Sequence, residues 1–399
     1  MEEGGRLSTT TFPKTADIVI LGAGVMGASI AFQLAKRKAG KIVVVERDHV
    51  GRGGSGRSSA LVRMHYSHPP EVQMALLSLH MFQHWREVVG EPGDFRKTGF
   101  VRIVHPSESE RLKSNVEMQK KLGVNVRLIT RQELKELEPD WTVDDVEVAA
   151  FEPDSGYSDG AGVANDFLTR ARDMGVVYLP KTGAASFLLT GGRVRGVVTD
   201  QGEIAAPLVV CALGPWSGPL FEQAGRSLPM EPEYHQVAIL KIAPGMRGGG
   251  SACIDSVTAT YFRSDAHDKF LIGDFYGSRK VNPDNFPQRA SDESLEQIIE
   301  RASRRIPQLE NAEVMRGVTG IYDMTPDARP LLGEIPGIPG LHICAGFSGM
   351  GFKISPAIGV VMSELLLDGH GKSVDITSFR LSRFAEGKPI KAEFEYQDD

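Results

Sequence analysis

Cysteine is scarce: Cys211, Cys253 and Cys344 are the only 3 in a chain of 399 residues. They stand far apart, in neither a CxxC nor a metal-binding spacing. That speaks against a disulfide scaffold and for a reducing compartment. Long apolar runs are missing too, so no segment reads as a bilayer span. The opening residues, MEEGGRLSTTTFPKTA, contain no apolar core of a secretory signal, and a cytoplasmic protein is expected. There is no excess of positive charge either. The formal net charge is −6, which removes the electrostatic case for nucleic acid or an anionic membrane as the main partner. What remains, 41% apolar and 24% charged residues, is the composition of a globular protein. The length exceeds one ordinary core, so two domains are expected.

The richest stretch is ILGAGVMGASIAFQLAKRKAGKIVVVERD, from Ile20 to Asp48. A β-branched run stops at glycine, a helical pattern ends at Gly40, and KIVVVE reads as a second buried strand. Gly22, Gly24 and Gly27 occupy the GxGxxG positions of such a βαβ unit. The first permits a tight turn, the second lets backbone approach a pyrophosphate, and the third allows close helix–strand packing. The positive helix end faces the phosphates. Glu46 follows at about the 20-residue spacing of a carboxylate that binds ribose hydroxyls, with Arg47 beside it. An adenine dinucleotide is expected here, and the fingerprint alone leaves NAD and FAD open.

After the second strand comes a run of glycine, serine and arginine from Gly51 to Ser59, too polar for a core strand. Ser55, Arg57, Ser58 and Ser59 could wrap a phosphate and a polar ring system, or the run could be a surface linker. A helix follows from Pro69 towards Gly90. With GAGVMG, Glu46 and GSGRSSALVRMHYS read together, the chain resembles the D-amino-acid-oxidase-like flavoproteins. The similar branch contains sarcosine oxidase, glycine oxidase and the β subunit of L-proline dehydrogenase. The segment YDMTPDARPLLGEIPGIPGLHICAGFSGMGFKISPAIG is similar to that branch's closing flavin-binding signature, and the resemblance runs from about Ala16 to about Leu367.

The resemblance implies FAD as cofactor and an α/β fold. A Rossmann-type FAD-binding domain would comprise 17–94, 153–228 and 326–380. A discontinuous second α+β substrate domain, built on an antiparallel-rich sheet, would comprise 95–152 and 229–325. Residues 1–16 read as a flexible N-terminal tail and 381–399 as a charged, peripheral C-terminal one. In the middle, ASFLLTGGRVRGVVTDQGEIAAPLVVCALG reads as three successive strands. At its end, in ALGPWS, Gly214 could let the backbone pass close to the dinucleotide beside Trp216, or serve as a plain strand-end turn. Thr130 and Glu133 stand at capping-box spacing. Gly346, Ser348, Gly349 and Gly351 precede a helix expected to start near Ser355, whose positive end would stabilise negative charge on a flavin.

In the same pattern, the lysine of GFK and an arginine of the early loop bind the substrate carboxylate. Lys353 and Arg63 match them, and a guanidinium fork with an ammonium suits one carboxylate. Tyr322 matches an active-site tyrosine. Where covalently flavinylated relatives carry cysteine, this chain has Gly320, which implies noncovalent FAD. Where monomeric sarcosine oxidases place a lysine over the flavin, this chain has Leu271, with Lys269 two residues earlier; active-site histidines are replaced by Phe275 and Met350. His65 and His68 have no third ligand nearby, so structural roles and no metal are expected. The implied activity is oxidation of the C–N bond of a small amino acid, secondary or N-methylated, by hydride transfer to flavin N5. Oxygen or a separate electron acceptor would reoxidise the flavin. Two alternatives stand beside it: a flavoprotein subunit passing electrons to a partner chain, and an NAD-dependent dehydrogenase. A homo-oligomer is compatible with either.

Overall fold

β1 (Ile18–Leu21), α1 (Val25–Lys36) and β2 (Ile42–Val45) form the βαβ unit in the computed structural model, which describes residues 12–242, 250–265, 268–275 and 279–396. Both strands are buried along their length, as apolar β-branched runs are when a parallel sheet is covered on both faces. They pair in parallel, with Ile18 beside Ile42. On the other side of β1 come Leu208–Cys211 and then Leu341–Ala345, also parallel. Val177–Leu179 forms one edge and an antiparallel Leu331–Glu334 the other. The helices α1, Pro69–Gln83, Gly160–Asp173 and Gly351–Asp368 share one apolar cluster with this sheet. The opposite side packs on an antiparallel sheet of Ala184–Thr190, Arg193–Thr199 and Gly202–Ala205.

A second large sheet joins the two inserts. Phe100–Ile103 lies parallel to Ala252–Asp255. That pairing connects Arg127–Thr130 and Val148–Glu152 with the antiparallel run of Glu231–Lys241, Thr260–Asp265, Lys269–Asp274 and Glu313–Met324. The helix Asp292–Arg305 packs its apolar side on this sheet, capped by Ser291, with acids in the first turn and arginines in the last as the helix dipole favours. The capping box of Thr130 and Glu133 is formed. The architecture is thus mixed α/β with parallel and antiparallel sheets. Arg96–Lys97, at the start of the first insert, pairs instead with Gly156–Tyr157, which also pairs with Leu61–Val62.

Four local readings change. The helix begun at Pro69 ends at Gln83, and a short turn, Trp85–Val88, replaces its continuation to Gly90. The three-strand middle is four strands, because Pro207 lacks an N–H and interrupts the last one; Leu208–Cys211 then enters the parallel sheet. The closing helix begins at Gly351, a turn before Ser355. It tolerates Pro356 inside because the Ser355 hydroxyl donates to the Phe352 carbonyl at 2.8 Å, the acceptor that proline cannot use.

The fourth change is the C-terminal segment, which is integral to the fold. Arg383 is fully buried, and Tyr396 is 4% exposed. The cations that read as a solvated surface find buried acceptors. Arg383 clasps Asp327 through two bonds of 2.8 Å and also donates to the Pro330 and Arg329 carbonyls. Residues 14–16 are also tied down, by backbone bonds to Ala205; residues 1–11 of the expected flexible tail lie outside the described residues.

Arg383→Met should destabilise the fold by about 3–5 kcal/mol, because it leaves Asp327 without its cation in a buried setting. Urea unfolding measures this; a midpoint unchanged from the parent protein would contradict the structural role of the tail.

Candidate functional site

A cavity of about 460 Å³ runs along the carboxyl ends of β1 and β2, the place where open α/β sheets bind ligands. Gly22 and Gly24 line its floor, and the N-terminus of α1 points into it. Gly22 adopts φ 100°, and a Cβ there would lie 2.5 Å from the Ala212 carbonyl oxygen. At Gly27 a Cβ would lie 1.9 Å from the Gly22 carbonyl oxygen. Gly27 therefore lets α1 close on β1 and does not itself face the cavity. Glu46 stands on the wall, oriented by the N–H groups of Ala23 and Asp48, each at 2.9 Å. Free amides, a helix end and a carboxylate at the second strand's tip are a donor and acceptor set that fits a dinucleotide.

The loop after β2 contributes Ser55, Arg57 and Ser58 to the same wall. Ser55 Oγ accepts the Val25 N–H at 2.9 Å, fixing the loop to the first turn of α1. Arg57 reaches the second sheet, donating to the Thr319 carbonyl at 3.2 Å and to Gln288 at 2.6 Å. Ser59 is not part of the lining; its backbone carbonyl accepts from Arg263 Nε at 2.6 Å. Gly214, at φ 54°, and Trp216 form the opposite wall. Trp216 Nε1 and Arg47 Nη1 both donate to Asp284 Oδ1 at 2.7 Å, and Arg47 lies over the Trp216 ring at 4.5 Å.

At the far end Gly349 and Gly351 line the cavity as the closing helix begins. A Cβ at Gly349 would press on the Tyr322 ring at 2.9 Å. Gly346 and Ser348 do not reach the wall. The Gly346 N–H goes to Asp323 Oδ2 at 2.6 Å, and Ser348 Oγ accepts the Thr325 N–H at 3.0 Å. They shape the turn that presents the two wall glycines.

Arg63 and Lys353 lie outside that wall and meet around Tyr66. The guanidinium is 4.5 Å and the ammonium 5.8 Å from its ring centroid. Lys353 is buried; desolvation, with Arg63 nearby, holds its ammonium well below the usual lysine range, and Glu71 opposes the shift. Arg63 also faces Phe100 at 5.7 Å, which shares an apolar cluster with Leu61, Leu271 and Tyr261. Tyr261 is hydrogen-bonded to Tyr322, whose ring packs on His235 at 4.1 Å. Of the three expected catalytic residues, Tyr322 lines the cavity beside Gly349, while Arg63 and Lys353 meet around Tyr66 outside its lining. Among the described residues no group of acids, histidines and cysteines could hold a metal, and all three cysteines are buried thiols.

Several site residues carry no sequence signal of their own. Asp284 and Gln288 come from the insert, in an irregular loop without periodicity. His235 is one position in an ordinary strand pattern; burial lowers it to about 4, leaving a neutral ring. Asp323 is the most legible of the missed residues, since it follows Tyr322 directly. It lines the cavity, and burial raises its carboxyl to about 6 despite bonds from the Gly346 and Phe347 N–H groups. Because the folded protein holds that proton more tightly than the unfolded chain, stability falls as pH rises from about 4 to about 6. In Asp323→Asn that contribution is absent. The variant's advantage over the parent should grow across this window, as read from urea midpoints; parallel curves would remove the assignment. Asp274, also raised to about 6, is common to both proteins and cancels.

Comparison with known proteins agrees with this geometry. The family model DAO, FAD dependent oxidoreductase, matches residues 17–365. The FAD-dependent oxidoreductase domain-containing protein 1 of Mus musculus is 26% identical, over 95% of this chain and 87% of its own. Sarcosine oxidase subunit beta of an Arthrobacter species is 26% identical, over 94% of this chain and 93% of its own. The crystal structure of L-proline dehydrogenase from P. horikoshii superposes with a TM-score of 0.87 at 28% identity, covering 95% of this chain and 100% of that one. Among the described residues no helix is long and apolar enough to cross a membrane. The choice between NAD and FAD that the glycine fingerprint leaves open is settled for FAD: the chain belongs to the DAO family of FAD-dependent oxidoreductases.

Proposed function

We propose that the protein oxidises the C–N bond of a small secondary or N-methylated amino acid, of the sarcosine or proline kind, with FAD held noncovalently. The observation that carries this reading is the meeting of Arg63 and Lys353 around Tyr66. Two cationic side chains drawn together away from water are completed by an anion, and a carboxylate can accept the fork and the ammonium together. The relatives named as sarcosine oxidase and L-proline dehydrogenase support that substrate class. Residues 17–94, 153–228 and 326–380 are assigned to the FAD side, and 95–152 and 229–325 to the substrate side.

Gly22, Gly24 and the first turn of α1 would hold the pyrophosphate and Glu46 the ribose, while Gly349 and Gly351 would bring the closing helix against the ring system. When bound, FAD supplies the two-electron acceptor for the oxidation. The chain's own residues hold the acid group and keep water away. Burial disfavours the charged form of Lys353 Nζ, and a carboxylate beside it would favour that form again. Leu271, Tyr261 and Tyr322 form an apolar side that suits an N-alkyl group or a ring. The substrate amine enters in its neutral form, having given its proton to bulk water beforehand, so positioning replaces a dedicated base.

A second reading concerns the electron acceptor. Leu271, 6% exposed among apolar neighbours, stands where oxygen-reducing relatives carry a lysine, which favours a separate acceptor or partner subunit over oxygen. Turnover with an artificial dye but not with oxygen would support it.

Anaerobic addition of sarcosine and L-proline should bleach the visible flavin band of the pure protein. Failure of N-methylated and cyclic amino acids alike would end the substrate reading. Arg63→Ala should lower kcat/KM for the reactive acid by about 2–5 kcal/mol of binding, and far less for the matching amine without a carboxylate. Equal losses on both would contradict the anchor.

A further inference from the structure

The C-terminal segment passes directly behind the proposed anchor. Tyr396 Oη lies 2.8 Å from His65 Nε2, and the two rings are stacked at 5.9 Å. The Arg102 guanidinium lies against the other partner of that stack, 4.8 Å from the Tyr396 ring. The segment is held at several points. The Ile390 N–H donates to Asp327 at 2.9 Å, Asn115 donates to the Phe394 carbonyl at 2.8 Å, and Arg329 donates to Glu395 at 2.9 Å. The segment as far as Tyr396 is therefore held in place beside residues 64 and 65.

His65 passes this constraint on. Its backbone carbonyl accepts from Arg63 Nη1, so the direction of the guanidinium depends on where that carbonyl stands. Burial, with Arg102 and Arg63 adding to it, keeps the His65 ring neutral. One side of the ring faces Tyr396, and Nδ1 faces Glu152 at 3.8 Å. Glu152 in turn accepts the Met64 N–H at 2.9 Å and the Ser155 hydroxyl at 2.6 Å. Residues 64 and 65 are thus gripped from two directions. Arg63 Nε, meanwhile, is buried with no hydrogen-bond partner among the described residues, a donor left over for a ligand.

We propose that Tyr396 is a positioning residue for substrate binding: through His65 it aims the Arg63 guanidinium at the substrate's carboxylate. The proposal rests on the reading of Arg63 as the carboxylate anchor. Tyr396 touches neither substrate nor cofactor, so its effect falls on the affinity for the acid group and not on the chemical step. Removing the phenol oxygen takes away one of the two restraints on residues 64 and 65, so the His65 carbonyl can shift and the fork adopt poorer angles.

The test uses the FAD-loaded full chain. Tyr396→Phe keeps the ring and its stacking and deletes the hydrogen bond to His65, so KM for L-proline or sarcosine should rise roughly 3- to 10-fold while kcat stays within about twofold. Inhibition by pyrrolidine, which has no carboxylate, should be unaffected. In an Arg63→Lys background, where the fork is gone, the same Tyr396→Phe change should alter KM by less than about twofold; general loosening of the fold would show at full size in both backgrounds. Equal weakening of L-proline and pyrrolidine, or an undiminished effect in the lysine background, overturns the proposal. If Arg63→Lys alone binds the acid as tightly as the parent, the anchor reading fails and the proposal falls with it. If Arg63→Lys is weakened but Tyr396→Phe is not, only the role of the tail is lost.

Discussion

Everything in the nucleotide-binding half depends on backbone crowding at the end of β1. There, Gly22 passes the Ala212 carbonyl and Gly27 passes the Gly22 carbonyl at distances that leave no room for a Cβ. This contact sets how closely α1 approaches the sheet, and hence where its first amides point. The same economy of space recurs one layer out. At Gly359 a Cβ would lie 2.2 Å from Ser29 Oγ, so the closing helix nests directly on α1. Two helix N-termini are brought to one cavity because glycines allow their helices to pack at this range.

The second organising constraint is buried charge. Arg305 pairs with Asp255 and Asp145, Arg383 with Asp327, and Arg329 with Glu71 and Glu395. Each removes a cation from water and answers it with carboxylates, as burial of charge requires. Arg63 and Lys353 differ. They share an aromatic ring, they repel one another, and neither forms an ion pair with a carboxylate among the described residues. An incompletely answered pair of cations beside a cavity supports the proposed carboxylate anchor. That contrast, within one chain, gives the anchor its meaning.

The two halves are joined where the chemistry would occur. Arg57 on the early loop bonds Thr319 on the second sheet, Arg263 on that sheet bonds the Ser59 carbonyl, and Asp284 receives both Arg47 and Trp216. The polar run from Gly51 to Ser59 is thus no surface linker; it forms a seam between the sheets. The C-terminal segment adds a further tie from Asp327 to His65, so the region around Arg63 is supported from the early loop, the second sheet and the tail.

Local pattern alone determined the βαβ unit, the glycine turn, Glu46 and the capping box, while the cofactor class came from the resemblance of two separated motifs to a flavoprotein family. The former are matters of residue type at fixed short spacing, where backbone geometry leaves little choice. Tertiary structure alone decided what lies far apart in sequence or depends on who the neighbour is. Ser59 and Ser348 look like loop serines facing a ligand, yet their polar groups serve Arg263 and Thr325. A charged tail looks solvated until Asp327 and His65 are there to receive Arg383 and Tyr396. The spacing of hydrophobic and glycine residues encodes elements, whereas the partner of a long polar side chain is set only when the sheets close on each other.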